Sequence, residues 1–429
     1  MARRAGFWLR TASSPTKLRV AAAVTVLLAI VLSLGGWYSV ERRSSAIHDA
    51  AGAAQQLIRV QDVRVLVVEA DSLASRAYLS GGQEDASQRA SYEQRASAAS
   101  SGLVDAATAA TAADALLLED ANAQFATYAG LVEQARANNR QGYPVGAAYQ
   151  RQARTVSVAV VDDLRQVEAH ARQRVDDSIA RAHRSSWVLL LTTVLLLAAI
   201  AAGGVWVALR WRRLINVPLA AAGILVLLVL TGGVGVNASA MNDADSVVES
   251  SLSAADVLAQ ARAAAFDARS NEALTLIYRG NGAAFDAASR LSQSIVSAAL
   301  DESCTSYGQG CAAIVPFQQY QTGYLVVRQL DGKEGAWDAA VELSTTGVID
   351  PATDASAVAK VTVVDPVTPF EEFATASAAT IQSRSAAAAQ GFDDARSNLA
   401  LLAVLIVIAG LVIAVLAVLG YGQRLREYR

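Results

Sequence analysis

Four long apolar runs, almost free of charged residues, constrain the fold of this sequence more than any other feature. They cover residues 18–40, 187–209, 214–236 and 399–420, and the one charged residue among them is Arg19. About 20 helical residues, at 1.5 Å per residue, cross the ~30 Å hydrocarbon core of a bilayer. The overall apolar content of 53% also exceeds that of ordinary soluble domains. The sequence therefore predicts a membrane protein with four transmembrane helices.

The short segments between the runs carry the positive charge that predicts orientation. Only Arg210–Arg213 separates the second run from the third, so these two runs form a hairpin and both long segments lie on one side. Basic residues concentrate in the N-terminal segment, the hairpin and the C-terminal tail, and the positive-inside rule places these in the cytoplasm. Arg42, Arg43, Arg181 and Arg184 flank the first long segment, where the rule has little force. We expect a multi-pass plasma-membrane protein with both termini cytoplasmic.

Both long segments have the pattern of helices joined by short loops. Small and apolar residues recur at three- and four-residue steps, and Gly81-Gly82 and Gly142-Tyr-Pro144 mark turns. Long helices with short loops favour antiparallel four-helix bundles. The predicted fold class is an all-α membrane protein with four transmembrane helices and two tandem extracytoplasmic four-helix bundles. The predicted segments are the N-terminus 1–17, span 18–40, bundle 41–185, span 186–209, hairpin 210–213, span 214–237, bundle 238–396, span 397–421 and tail 422–429.

The two halves of the chain resemble each other at nearly constant spacing. We interpret this match as an internal duplication of a helix–bundle–helix unit. The two halves of one chain could then pair with each other as an intramolecular pseudo-dimer. The matching positions are Arg64 and Arg262, Glu69-Ala70-x-Ser72 and Asp267-Ala268-x-Ser270, Phe125-x-x-Tyr128 and Phe317-x-x-Tyr320, and Gly142 and Gly335.

The second half has two features of its own. Cys304 and Cys311 enclose six residues with two glycines, a loop short enough for a disulfide in an oxidising space. The alternative is a pair of reduced thiols. The second half also carries more acidic than basic residues and an irregular insert at Thr345–Pro369. This face is either a docking surface for a partner or a solvated surface with a tolerated loop.

Motifs for catalysis are absent from the sequence. It has no phosphate-binding loop, no nucleophile elbow and no dinucleotide fingerprint. The histidines, His48, His170 and His183, have no ligand partners at metal-binding spacing. The net charge of −3 argues against a nucleic-acid partner. We expect no enzyme activity, no cofactor and no metal site.

Candidate contact residues come from the duplication and from the cytoplasmic charges. Arg64 and Arg262 are repeat-equivalent, and guanidinium groups suit a carboxylate ligand or an acidic partner. The alternative for them is an ordinary ion pair with Glu69 or Asp267. The candidate cytoplasmic relay residues are Arg210, Arg212, Arg213, Arg424 and Arg426.

The layout of helical segments continuous with membrane spans resembles the four-helix sensor domains of bacterial chemoreceptors. With the segment Gly142-Tyr-Pro-Val-Gly-Ala-Ala-Tyr-Gln-Arg-Gln-Ala153, it resembles the actinobacterial GlnX-type membrane proteins of the protein kinase G and glutamine-binding lipoprotein signalling system. The resemblance implies a transmembrane signal relay for amino-acid sensing. Its implied partners are an extracytoplasmic substrate-binding lipoprotein, a cytoplasmic serine/threonine kinase and membrane lipid. The alternative is a scaffold protein of the cell envelope that does not switch.

Overall fold

Helices make up nearly all of the structure, a computed structural model that describes residues 14–81, 84–184, 191, 194–202, 205, 217–350 and 361–426. Residues 194–202 are helical, a π-helical turn at Val247–Leu252 joins α5 to α6, and a 3-10 turn at Cys311–Ala313 precedes α8. The prediction of an all-α protein is confirmed. The numbered helices are α1 (Ser14–Leu79), α2 (Ala86–Thr108), α3 (Ala112–Arg140), α4 (Val145–Arg184), α5 (Val217–Ser246), α6 (Ser253–Ile277), α7 (Ala283–Tyr307), α8 (Ile314–Asp331), α9 (Trp337–Thr346) and α10 (Val367–Arg426).

Local sequence explains where several helices begin and end. The Thr111 hydroxyl accepts a hydrogen bond from the backbone N–H of Asp114 at 3.4 Å, which caps the first turn of α3. Gly142 and Gly335 have positive φ angles of 72° and 78°, a conformation that favours glycine. These two glycines precede α4 and α9 respectively, which is the equivalence that the duplication predicts.

Within the described residues, three helices are long and apolar enough to cross a membrane. The candidate spans lie within Arg19–Leu79, Val217–Ile277 and Val367–Gln423. They indicate a multi-pass membrane protein. The predicted second span, 186–209, is described only at residues 191, 194–202 and 205, so it stays a prediction. The predicted hairpin 210–213 lies outside the described residues.

Contacts divide the described residues into two compact units. The first unit comprises residues within 1–51, 175–247 and 390–429, and the second comprises residues within 52–174 and 248–389. In the first unit, all four apolar runs contribute to one buried cluster. A Cβ atom at Gly410 would collide with the Ser33 side chain, so glycine permits the close approach of α10 to α1. The members of this cluster are Ala29, Leu32, Leu196, Ile200, Ala222, Val226 and Ile413.

The second unit has a large hydrophobic cluster to which both halves of the chain contribute. From the first half come residues such as Leu103, Leu118 and Phe125, and from the second half residues such as Leu258 and Phe317. The predicted bundle boundaries, 41–185 and 238–396, stay a prediction. Within the described residues, however, side chains from both segments pack into one core.

Helices α1 and α6 run side by side and parallel in the second unit. Gln61 of α1 hydrogen-bonds to Asp256 of α6, and further along both helices Ser75 contacts Ser270 at 3.2 Å. Because the partner numbers rise together, the two helices point in the same direction. The repeat-equivalent helices are therefore direct neighbours in the core.

The insert of the second half is shorter than the sequence predicts. Thr345 and Thr346 still belong to α9, and α10 begins at Val367. The Asp365 carboxylate accepts a hydrogen bond from the Val367 backbone N–H at 2.7 Å, which starts α10. Residues 351–360 lie outside the described part of the chain.

Candidate functional site

The predicted disulfide between Cys304 and Cys311 is present. The two Cα atoms are 4.9 Å apart, and the bond joins the last turn of α7 to the 3-10 turn before α8. Gly308 and Gly310 have φ angles of 63° and 72°, which lets the chain fold back over this short distance. The bond constrains a local loop and lies apart from the candidate arginines in sequence.

Arg64 forms a buried ion pair that links two helices. Its Nε atom on α1 lies 2.6 Å from Oε1 of Glu168 on α4, and the two side chains are only 5% and 7% exposed. Burial raises the pKa of Glu168, and the charge of Arg64 opposes that rise. The suggested partner Glu69 is wrong, because the structure pairs Arg64 with an acid more than a hundred residues away. With its guanidinium enclosed, Arg64 serves packing rather than an accessible contact.

Arg262 occupies a different environment from Arg64. Its Nη2 atom on α6 lies 3.7 Å from Oε2 of Glu69 on α1, and its Nη1 donates to Ser377 Oγ at 3.3 Å on α10. The guanidinium also lies 5.1 Å from the centre of the Phe266 ring. Of the two acids that the sequence suggested, Arg262 faces Glu69, whereas Asp267 bonds to Arg154.

Arg262 lines a cleft of about 450 Å³, called the Arg262 cleft below. Its charged residues alternate in sign, since Arg95 bonds to Glu69 through Nε and Oε1 at 2.9 Å and Glu69 also faces Arg262. The cleft combines two acidic and two basic residues with an apolar wall. The residues that line it are Ile58, Asp62, Val65, Leu66, Glu69, Arg95, Ala259, Arg262, Ala378, Ile381, Gln382 and Ser385.

The electrostatics of the Arg262 cleft suit a small ligand with charges of both signs. Burial lowers the pKa of Arg262, and the Glu69 carboxylate opposes that effect. Desolvation raises the pKa of Asp62, and Arg262 opposes that rise. A carboxylate ligand could pair with either guanidinium, and an ammonium group with either acid. The cleft presents groups for binding and no arrangement of nucleophile and base.

A second polar cluster, the Arg154 network, lies buried where α1, α4, α6 and α7 meet. Arg154 Nη1 donates to Asp71 Oδ2 at 2.8 Å, and Arg154 also bonds to Asp267. Asp71 is fully buried, and its Oδ2 accepts a further hydrogen bond from Ser270 at 2.6 Å. Burial alone would lower the pKa of Arg154, but the two carboxylates hold it above its ordinary value. Asp267 also accepts a hydrogen bond from Ser292 at 2.7 Å.

The two clusters follow one reciprocal pattern between the halves. Glu69 of the first half contacts Arg262 of the second half, and its aligned counterpart Asp267 contacts Arg154 of the first half. Sequence reasoning named Glu69 and Asp267 as possible partners of the arginines but did not predict that these ion pairs would connect the two halves. The alignment of Glu69 with Asp267 was the available signal.

The candidate relay residues at the predicted cytoplasmic face are not described in full. Arg210, Arg212 and Arg213 lie outside the described residues. Arg424 and Arg426 belong to the last turns of α10, and their side chains are outside the described part of the chain. Their role in relay stays a prediction.

Comparison with known proteins gives a family for part of the chain. Residues 46–180 match the family model of the actinobacterial sensor domain. This segment contains Arg64, Glu69, Asp71, Arg154 and Glu168. No curated protein and no solved structure matches the chain. The chain therefore contains an actinobacterial sensor domain at residues 46–180.

Proposed function

We propose that this chain is a transmembrane sensor and signal relay that couples extracytoplasmic sensing to a cytoplasmic serine/threonine kinase. The observation that carries the proposal is the continuity of α1. This helix extends without a break from Ser14 to Leu79, so it includes the first apolar run and the first part of the sensor domain. A displacement of the sensor part along the helix axis would be carried into the membrane segment.

The paired halves support a relay that acts within one chain. In dimeric sensors of this general layout, equivalent helices from two chains run parallel at the interface. Here α1 and α6 run parallel to each other within a single chain, and Asp71 and Ser75 of α1 both contact Ser270 of α6. This arrangement supports an intramolecular pseudo-dimer as the switching element.

The contact between α1 and α6 consists mainly of small residues, which permit two alternative arrangements of these helices against each other. Small buried side chains dominate this part of α6, including Ala261, Ala265 and Ala268, and Ser75 faces Ser270. Small side chains interlock less than branched aliphatic ones, so a shift of one helix past the other meets a smaller steric barrier. A signal would take the form of such a shift.

We further propose that the signal is an amino acid, presented by an extracytoplasmic binding protein of the glutamine-binding lipoprotein type as in the GlnX-type systems. The Arg262 cleft supports this ligand class, because it offers guanidinium groups for a carboxylate and carboxylates for an ammonium group. Inside the cell, the Arg-rich segments that include Arg210–Arg213 and Arg424 would contact the kinase.

The proposal is tested in an actinobacterial host from which the gene has been deleted. Cells receive the wild-type gene, Arg262→Gln, or the control Arg165→Gln, an exposed residue whose ion pair with Asp162 lies on the surface. Phosphorylation of kinase substrates is measured by mass spectrometry after addition of glutamate or aspartate. We expect deletion to abolish the amino-acid response, Arg262→Gln to weaken it, and the control to restore it fully. A normal response in the deletion strain contradicts the relay and favours a scaffold.

A further inference from the structure

Four arginines near the ends of the apolar runs are not used by the proposed relay. Arg42, Arg43, Arg181 and Arg184 lie at the end of the runs that adjoins the long segments, opposite to the side favoured by the positive-inside rule. All four belong to the first compact unit. Their position at a membrane boundary calls for a physical reason.

Arg43 connects chain segments that adjoin three of the apolar runs. It is almost completely buried, its Nε donates to the Ala182 carbonyl at 2.9 Å, and its guanidinium also bonds to the Asn237 side chain. Asn237 directly follows the third apolar run, Arg43 lies three residues after the end of the first, and Ala182 shortly precedes the second. The His48 ring lies 3.5 Å from the Arg396 guanidinium, just before the fourth run. Described residues that adjoin each of the four runs therefore lie near one level.

Beside Arg43, the structure has a cleft of about 410 Å³ lined by basic residues, called the Arg42 cleft below. Arg42 and Ser45 come from α1, and Arg181 and Arg184 come from the last turn of α4. No acidic side chain is among the described residues that line it. Three guanidinium groups around one small space form a site for an anion with several acceptor oxygens.

The arginines of the Arg42 cleft remain available to a ligand. Arg42 lies over the Tyr38 ring at 4.6 Å, which leaves its N–H groups free to donate. Arg181 bonds to Asp49 at 3.0 Å, but both side chains are about half exposed, and such surface pairs contribute little stability. Among the described residues, Arg184 has no hydrogen bond or ion pair. An anion can engage all three without breaking a buried contact.

The residues next to the Arg42 cleft place it in the headgroup layer of a membrane. Trp37 and Tyr38 are exposed, and exposed aromatic residues at the end of a span lie at the membrane–water interface. One and two turns further into the run, Leu34 and Val31 expose apolar surface that suits acyl chains. An anion beside an acyl-chain surface is the chemistry of a phospholipid.

We propose that the Arg42 cleft binds the phosphate of an anionic phospholipid, with Arg42, Arg181 and Arg184 as its donors. The headgroup would hold α1 and α4 together at the boundary, because the donors come from both helices. The same chemistry could accept free inorganic phosphate, but the apolar surface at Leu34 favours the lipid.

The test counts lipids bound to the full-length protein by native mass spectrometry. Dioleoylphosphatidylglycerol and dioleoylphosphatidylcholine are titrated into the detergent-solubilised protein at low ionic strength. The triple variant Arg42→Gln/Arg181→Gln/Arg184→Gln is compared with a control in which three exposed arginines of the second unit, Arg140, Arg151 and Arg165, are replaced by glutamine. Melting temperatures establish that each variant is folded.

We expect one phosphatidylglycerol to bind the wild type and the control more tightly than phosphatidylcholine does. The triple variant should lose about 100-fold in affinity for the anionic lipid, since each arginine near an anionic headgroup contributes about fivefold. If the triple variant does not fold, Arg184→Gln alone should lose about fivefold. Equal affinity in the wild type and the folded variant overturns the proposal. A wild-type protein that binds inorganic phosphate but no phosphatidylglycerol also overturns it, because the site would then be a site for free phosphate.

Discussion

The Arg154 network provides a sharp test of the packing between the two halves. Replacing Arg154 by Met keeps the unbranched stem of the side chain and removes its charged guanidinium, which leaves the fully buried Asp71 carboxylate without its cationic partner. Removing one partner of a buried ion pair costs about 3–5 kcal/mol, because the remaining charge stays desolvated. Asp267 should contribute less, since its side chain is 29% exposed and water can solvate it.

The expected destabilisation is measured on the full-length protein in nanodiscs. In a domain of this size, about 3–5 kcal/mol corresponds to a fall in melting temperature of roughly 6–20 °C, followed by circular dichroism. The matched control is Arg165→Met, whose partner Asp162 is 57% exposed. Its loss should be at most about 1 kcal/mol.

A double variant isolates the ion pair itself. Asp71→Asn with Arg154→Met removes both charges, so no unpaired charge remains buried. Its destabilisation should be smaller than the sum of the two single losses by about 1–3 kcal/mol, as expected for residues in direct contact. If Arg154→Met melts like the control, or if the two losses simply add, the buried charge pair described here is refuted.

Three further predictions concern single contacts, each read from the melting temperature of the full-length protein. Arg64→Gln leaves Glu168 buried without its cation, so we expect a loss of about 3 kcal/mol; an unchanged melting temperature contradicts the pair. Burial alone would raise the pKa of Asp286, but a tyrosine hydroxyl and two arginines hold it below its ordinary value. The stability that Asp286 contributes is present above the ordinary carboxyl pKa of about 4 and is lost as pH falls through the lower folded pKa. The melting temperature of Asp286→Asn should therefore fall less steeply in acid than that of the wild type. An equally steep fall in both proteins contradicts this contribution. Replacing Cys304 and Cys311 by Ser should lower the free energy of unfolding by about 2.5 kcal/mol, because the loop is no longer closed in the unfolded chain. Reductant should have the same effect on the wild type. An unchanged melting temperature of the reduced protein contradicts a stabilising role of the disulfide.

Local sequence signals predicted the helical class and the long apolar helices well. Gly142 and Gly335 marked turns because few other residues adopt a positive φ. The spacing of Cys304 and Cys311 indicated their disulfide because a short loop holds the two sulfurs close. These features depend on residues near each other in the chain, which a sequence displays directly.

Long-range pairing could not be predicted in the same way. The sequence suggested Glu69 or Asp267 as ion-pair partners of Arg64 and Arg262, and this is right only for the contact of Arg262 with Glu69. The structure pairs Arg64 with Glu168 and Arg262 with Glu69, contacts set by which helices are neighbours. A helical periodicity shows which face is buried and does not show which helix covers it.

The shared core of the second unit could likewise not be predicted from the sequence. Two tandem segments with similar helical patterns predict two similar bundles, and nothing local in either pattern indicates that Leu103 and Leu258 belong to one hydrophobic cluster. The polar residues of α1 carried a partial signal. Asp71 and Ser75 lie on a helix with a mostly apolar buried face, and such residues require polar partners from another helix.

The parallel pairing of α1 with α6 inside one chain can be measured directly by a disulfide. Ser75→Cys and Ser270→Cys are introduced where the two hydroxyl oxygens lie 3.2 Å apart, with Cys304 and Cys311 replaced by Ser. A protease site is inserted between residues 210 and 213 and is cleaved after solubilisation in detergent. The intramolecular pairing predicts that the two fragments stay together at the mass of one chain without reductant and separate when it is added. Fragments that separate without reductant, or that link only at the mass of two chains, contradict it.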